Sequence, residues 1–407
     1  MMRGFLLLLA AAGSLAQDDF DNLQDMLDHN VERYRMIGLD VGSFVSTGDW
    51  LLRGQAGERV YKEGTPVGDK DMFIMGSAGK SMTSTMAARV VAQGYINWNT
   101  TVKEMFHDTG IFEVHESFWP STLEQFISHG SGAPGLDVVV ERYFDMVDYI
   151  FNKTSWEPGY DNRPARIVMS RTLLQDKVTV PQGTYLYSIG GFTVAGTMLE
   201  VATNKTFEQL MMEELFLPLG MEGCGFGPTT TDPSLPPQQP WGHLSDQWGA
   251  QIAPVPPGPY ANVASPMIAD GGLHCNLDSW KNYLATHLRK DEDFLPSDMW
   301  EYIHTPITAG FYGFGWMIDN SNPAIGKTLS HGGTDGHNFA QTFLIPRLGV
   351  GVNMGMNNAG VMSQGSIQGT GFGKVLTWVG EHLLGKQAGA DMVDYVKKTM
   401  YDDTLPH

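Results

Sequence analysis

The stretch Ile74-Met75-Gly76-Ser77-Ala78-Gly79-Lys80-Ser81-Met82-Thr83 decides how the chain is read. Gly76 and Gly79 suggest a tight turn, and a helical run follows from Ser81 to Ala92. A helix that begins near Ser77 puts Ser77 and Lys80 on one face, one turn apart. A serine hydroxyl is a weak nucleophile until a neighbour takes its proton. A lysine within hydrogen-bond reach can do so if burial lowers its pKa. The same letters also read as a helix N-cap serine followed by a solvated lysine. A second acid/base group and donors for an oxyanion are needed to decide between the two.

Two later stretches offer them. In Pro181-Gln182-Gly183-Thr184-Tyr185-Leu186-Tyr187-Ser188-Ile189-Gly190-Gly191-Phe192 a turn leads through an aromatic run into a helix, with Tyr187 in the short loop between. A lysine ammonium beside it would favour its phenolate and make it usable as a base. A pair of core tyrosines ahead of a helix explains the same letters as well. In Ser330-His331-Gly332-Gly333-Thr334-Asp335-Gly336-His337, successive glycines end a strand and let a substrate approach the backbone closely. That strand edge can offer an N–H to an oxyanion, with His331 pointing into the cleft as a polarising or orienting group. A glycine-rich hairpin with an incidental histidine is the competing reading.

Around these stretches the pattern predicts an amphipathic helix from Asp19 to Arg35 and a hairpin from Leu39 to Arg53 turning at Gly48-Asp49. The helix that follows Ser77 ends at Gly94, a C-cap glycine. Helices are expected at Thr122 to Ser128, Gly191 to Thr203 and Phe207 to Leu215, with long loops from Val138 to Arg166 and from Gly227 to Pro259 walling the cleft. Short strands return at Phe311 to Asp319, Thr328 to His331, Asn338 to Ile345 and Val350 to Met356, before a helix at Lys374 to Leu384. Strands at both ends of the chain with helices between them imply an α/β (α+β) fold. An antiparallel sheet is built from both ends and flanked by terminal helices, and a mostly helical subdomain is inserted. The corresponding division is residues 17–105 and 310–390 for the sheet, 106–309 for the helical part and 391–407 for a tail.

A chain of 407 residues with 42% hydrophobic and 17% charged residues has ample core material. A net charge of −19, spread along the chain, argues against nucleic acid and anionic membrane surfaces as partners. Met1-Met2-Arg3, the apolar run Phe5 to Ala12 and the small residues before Gln17 read as a secretory signal peptide over residues 1–16. Secretion is therefore expected, and no other apolar run approaches the length of about 18 residues needed to span a bilayer. Cys224 and Cys275 read equally as one disulfide or as two buried thiols, and neither belongs to a zinc or redox motif. Asn99, Asn152 and Asn204 open glycosylation sequons.

Taken together, the Ser77-x-x-Lys80, Tyr187-Ser188 and His331-Gly332-Gly333 motifs, in this order, resemble the class C branch of the serine β-lactamase and penicillin-binding-protein superfamily. The likeness extends to Thr122-Leu123-Glu124-Gln125-Phe126-Ile127-Ser128-His129-Gly130-Ser131-Gly132. It is also seen at Leu217-Pro218-Leu219-Gly220-Met221, at Asp270-Gly271-Gly272-Leu273 with Asp278, and at Tyr312-Gly313-Phe314-Gly315-Trp316. It runs from about Asp19 to Leu384. The resemblance implies the β-lactamase/transpeptidase-like fold. Ser77 is then the acylated nucleophile, Lys80 its proton acceptor and Tyr187 the group that shuttles protons to the leaving group and from water. The oxyanion donors are the backbone N–H groups of Ser77 and Thr334, beside Gly333. No metal and no organic cofactor is implied, and the partner is a small-molecule ester or amide.

One position departs from the pattern. Where the family has Tyr-Ser-Asn, this chain has Tyr187-Ser188-Ile189. In amide-hydrolysing relatives the asparagine hydrogen-bonds the lysine and the substrate's side chain, and isoleucine can do neither. An ester needs less help, because an alkoxide leaves more readily than an amine. The expectation is a secreted serine hydrolase acting on an ester or small amide through an acyl-enzyme, tilted toward the ester, with a D-stereospecific peptidase or weak β-lactamase as the enzymatic alternative. A catalytically silent binding protein is the alternative from another class. The usual Gly-x-Ser-x-Gly elbow is not fulfilled at Met75-Gly76-Ser77-Ala78-Gly79. Natural substrate and oligomeric state are left open by the sequence.

Overall fold

A computed structural model describes residues 22–135, 153–245, 251–258, 261, 263–321, 323, 325–359, 375, 378–382 and 385. The leader at residues 1–16 and the tail at 391–407 fall outside the described residues, as does most of the predicted loop from Val138.

The chain opens with helix α1 (Leu23–Tyr34), whose N-cap Asn22 accepts from Asp25 N at 3.0 Å. It continues into the hairpin β1 (Gly38–Val45) and β2 (Trp50–Gly57), then β3 (Met72–Ile74) and helix α2 (Gly79–Ala92). Helices α3 (Leu123–Ile127), α4 (Arg163–Leu174), α5 (Ile189–Thr203) and α6 (Phe207–Met211) follow. Next come β4 (Cys224–Phe226), β5 (Gly242–Ser245), β6 (Ile252–Val255), helix α7 (Ile268–Gly271), β7 (Leu273–Asn276), and helices α8 (Leu277–Arg289) and α9 (Ser297–Ile303). The chain returns to the main sheet through β8 (Tyr312–Gly313), β9 (Trp316–Asp319), β10 (Thr328–Thr334), β11 (Phe339–Ile345) and β12 (Val350–Met356).

Seven strands form one antiparallel sheet in the order β2-β1-β12-β11-β10-β9-β8, so the two ends of the sequence meet where β1 pairs with β12, Leu39 opposite Met356. The sheet is covered on both faces, as the two-residue period of its strands requires. In β11, Phe339 and Phe343 pack with α1, Val375 and Val379, while Ala340 and Leu344 face the larger core containing α2 and the helical region. Trp378–His382 are helical, in keeping with the helix expected at Lys374 to Leu384, whose remaining residues are described only at Val375.

The helical region departs from expectation in three ways. Its middle is not wholly helix and loop: β3, β7 and β4 make a second, three-stranded sheet, and β5 pairs with β6 inside the predicted loop from Gly227 to Pro259. Strands of three or four residues carry too few alternations to show a period. The helix that follows Phe207 is α-helical only to Met211 and continues as a π-turn over Met212–Phe216. Helix α4 begins at Arg163, inside the predicted loop. There the fully buried Arg166 guanidinium bonds Glu200 at 2.6 Å and Glu208 at 2.8 Å, which ties α4 to α5 and to α6. Cys224 and Cys275 are opposite one another on β4 and β7 and form a disulfide.

Candidate active site

Ser77 is delivered by β3 and presented on a single 3-10 turn, Gly76–Ala78, directly ahead of α2. Met75 N–H donates to Leu273 O at 2.8 Å, which fixes the turn against β7. On its other side the turn presses against the end of β10. A Cβ on Gly333 would come within 2.5 Å of Ser77 N and 2.1 Å of Met75 O, and one on Gly76, at φ +47, within 2.3 Å of Thr334 N. Only glycine at both positions allows this approach, which brings the backbones of Ser77 and Thr334 together.

Lys80 is completely buried. Its Nζ lies 2.9 Å from Ser77 Oγ and 3.3 Å from Asp270 O, and it forms an ion pair with the Asp270 carboxylate. It is also 4.9 Å from the centre of the Tyr187 ring. Burial alone would lower its pKa, but the charge of Asp270, then that of Tyr187, and hydrogen bonds to both outweigh it. Lys80 is thus held above the ordinary lysine value. This corrects the expectation of a lysine whose pKa is lowered by burial so that it can take the serine proton. The carboxylate responsible stands 190 residues away in sequence.

Tyr187 is half-buried in the loop ahead of α5, and both its neighbours are anchored on His129. Leu186 N–H donates to His129 O at 2.9 Å, and Ser188 N–H donates to His129 Nδ1 at 3.1 Å. Ser188 also caps α5 by accepting from Gly191 N–H at 2.9 Å. The His129 ring is buried among Tyr185, Tyr187, Phe192 and Tyr312. Burial, and then Lys80, push its pKa well below the usual histidine value, so it is neutral.

His331 is on β10, but the structure does not leave it free in the cleft, which corrects the reading of it as a polarising group there. It is 3% exposed, with Nδ1 2.6 Å from Gly332 O and Nε2 3.2 Å from the Tyr312 hydroxyl. Burial, and then the Lys80 charge, push its pKa down to about 3. Ile189 is the first residue of α5, half-buried and packed against the large core, and it brings no polar atom toward Lys80. Thr334 closes β10, and its hydroxyl accepts from Gly336 N–H at 2.9 Å. A separate shallow depression beside the β5–β6 hairpin is lined in part by Thr229, Trp241, Val255 and Asn338, and none of its lining residues belongs to the Ser77 cluster.

Sequence reasoning brought Ser77, Lys80, Tyr187, Gly333 and Thr334 to one region, and missed Asp270 and His129 as members of it. The available signal for Asp270 was a lone acid within Met267-Ile268-Ala269-Asp270-Gly271-Gly272-Leu273, a run otherwise apolar or small that must be buried. Among the described residues, no group of His, Cys, Asp or Glu is arranged to hold a metal ion, and no helix is long and apolar enough to cross a membrane.

A two-ended antiparallel sheet with a serine turn packed against its β10 edge defines a known class, and the profile of the Beta-lactamase family matches residues 23–365. The chain belongs to that family. It is 23% identical over 353 residues to the unguisins hydrolase ungD' of Aspergillus campestris, covering 81% of this chain but only 60% of that protein. In structure it resembles the octameric penicillin-binding protein homologue from Pyrococcus abyssi, with a TM-score of 0.70, 20% identity, and coverage of 89% of this chain and 77% of that one. It also resembles the D-amino acid amidase from Ochrobactrum anthropi SV3, with a TM-score of 0.66 and 16% identity over 89% of this chain and 98% of that one.

Proposed function

We propose that the chain is a secreted serine hydrolase that cleaves a small ester or amide through an acyl-enzyme on Ser77. The observation that carries this is the 2.9 Å contact between Ser77 Oγ and the buried Lys80 Nζ, with Tyr187 beside the same amine. Because Lys80 is held as an ammonium, the Ser77 proton passes to Tyr187 acting in its phenolate form, which becomes the phenol as Oγ bonds to the substrate carbonyl carbon. The Ser77 and Thr334 amides receive the oxyanion. Tyr187 then gives the proton to the leaving oxygen or nitrogen as that bond breaks, takes one from the water that attacks the acyl group, and passes it to Ser77 Oγ as the acyl–Oγ bond breaks. Secretion is supported by the apolar leader and by the Cys224–Cys275 disulfide.

Ile189 favours an ester, whose alkoxide needs less assistance. The name of one structural relative, a D-amino acid amidase, favours an amide. A D-stereospecific peptidase or weak β-lactamase is the form this second reading takes. A silent binding protein would have no need of a lysine held on the serine hydroxyl. The test is turnover of p-nitrophenyl butyrate, nitrocefin and a D-Ala-D-Ala peptide by the wild type and by Ser77→Ala, alongside fluorophosphonate labelling. Turnover and labelling lost in Ser77→Ala are expected. Equal labelling of that variant would remove Ser77 from its role, and fast nitrocefin turnover would remove the weight given to Ile189.

A further inference from the structure

Asp270 and Lys80 form a buried pair in which neither member has a substitute among the described residues. Asp270 is 3% exposed and Lys80 0%. The polar atoms that meet the Lys80 amine are Ser77 Oγ, Asp270 O, the Asp270 carboxylate and the Tyr187 phenol. Asp270 is not free to drift away from it. The residue before it is held to α2, because Thr83 Oγ1 donates to Ala269 O at 2.7 Å. Three residues later, Leu273 O accepts from Met75 N–H at 2.8 Å, on the Ser77 turn itself. The carboxylate is therefore clamped at both ends to the two elements that carry Lys80 and Ser77.

The groups facing this pair are Tyr187 and His129 from the helical side, and Tyr312 and His331 from the sheet. Both histidines are pushed down, by burial first and then by Lys80, and burial holds Tyr312 protonated. Lys80 and Asp270 are thus the charges at the centre of the cluster, and they cancel. An ammonium alone at this depth would be heavily penalised and would give up its proton.

The geometry points to Asp270 as the positioning residue of this site: it clamps the Lys80 amine on Ser77 and balances its charge, which leaves the serine proton to Tyr187. The proposal rests on the acyl-enzyme reading above. Asp270 touches no reacting atom, and its effect is to keep Lys80 an ammonium across the pH range in which the site works.

The experiment measures the rate of Ser77 labelling by a fluorophosphonate, and kcat/KM for p-nitrophenyl butyrate, from about pH 5 to about pH 10. It compares the wild type with Asp270→Asn and Asp270→Glu. Without the anion nothing offsets the burial of Lys80, so in Asp270→Asn its ammonium is lost more readily and the alkaline limb of both profiles moves to lower pH, by on the order of one unit or more. Asp270→Glu keeps the charge and leaves the limb near its wild-type position. A lower plateau with an unmoved limb in Asp270→Asn overturns the proposal while leaving the acyl-enzyme reading intact. An unlabelled wild-type Ser77 overturns that reading and the proposal with it. Should Asp270→Asn fail to fold, the double variant Lys80→Met/Asp270→Asn decides. Recovery of its melting temperature supports charge balance, and a double variant no more stable than the single one overturns it.

Discussion

Lys80 reaches Ser77 Oγ at 2.9 Å from a position with no solvent exposure, and its charge is met there by Asp270. The two residues sit on different elements, the first turn of α2 and the short helix α7, and come together because β3 and β7 pair side by side. The second sheet, although only three strands wide, therefore determines which charges meet beneath Ser77.

Removing the cation alone should be costly in a pH-dependent way. In Lys80→Met the Asp270 carboxylate is left buried without its counter-charge, and a loss of about 3–5 kcal/mol is expected at neutral pH. An isolated buried carboxylate has its pKa raised, so the folded variant takes up a proton that the unfolded chain does not. The deficit should be largest near pH 8 and shrink as pH falls below about 6. Urea unfolding at several pH values checks this, and a deficit that is flat with pH would contradict it.

A methyl group at residue 333 should damage activity more than stability. The Cβ of Gly333→Ala would fall 2.5 Å from Ser77 N and from Ala78 N, so the serine turn must move away from β10. Overpacking of this kind costs about 1–3 kcal/mol. In the proposed mechanism the displaced amide receives the oxyanion, and loss of one such donor lowers kcat by roughly 10²–10³-fold. Stopped-flow acylation with p-nitrophenyl butyrate together with a thermal melt separates the two effects. A drop in melting temperature at unchanged kcat would argue against the oxyanion assignment.

What the sequence disclosed follows from the range of the interactions. The hairpin at Gly48-Asp49, strand β12 at Val350–Met356 and the Ser77 helix were legible because alternation, helical spacing and turn glycines are local signals. The family likeness supplied the arrangement of Ser77, Lys80 and Tyr187. Strands β4 to β7 were not legible, being three or four residues long. The direction of the Lys80 shift was missed for a different reason. Burial of the amine could be anticipated from its buried helix, but the carboxylate that reverses the effect of burial arrives through tertiary packing alone. His331 follows the same pattern: its place on a strand was read, whereas its hydrogen bond to Tyr312 depends on the β8–β9–β10 arrangement.

Acid should weaken the fold through its buried histidines. His287 is fully buried, with Nδ1 2.9 Å from His304 Nε2, and burial pushes its pKa down to about 3. It is neutral when folded, whereas the unfolded chain binds a proton below about pH 6.5. Its contribution is therefore fully present above pH 6.5 and is lost as pH falls toward 3, amounting to about 2 kcal/mol lost at pH 5. His287→Gln cannot titrate, so its unfolding free energy should fall less than that of the wild type between about pH 7 and pH 5, by about 2 kcal/mol. Equal falls in the two proteins would show that His287 is already neutral in the unfolded chain or charged in the folded one.

The disulfide should matter to the site as well as to the fold. Cys224 and Cys275 are separated by 51 residues, and a cross-link closing a loop of that size contributes about 4 kcal/mol in the chain-entropy account. Cys275 also pairs with Phe73 on β3, the strand that delivers Ser77, and Leu273, on β7 like Cys275, holds Met75. In Cys224→Ala/Cys275→Ala the melting temperature should fall. The β7 strand, freed from β4, should hold Asp270 less firmly against Lys80. Ser77 labelling by a fluorophosphonate should then slow even at temperatures where the variant is fully folded by circular dichroism. A variant that melts earlier yet is labelled at the wild-type rate would show that the β3–β7 pairing fixes the site without help from the cross-link.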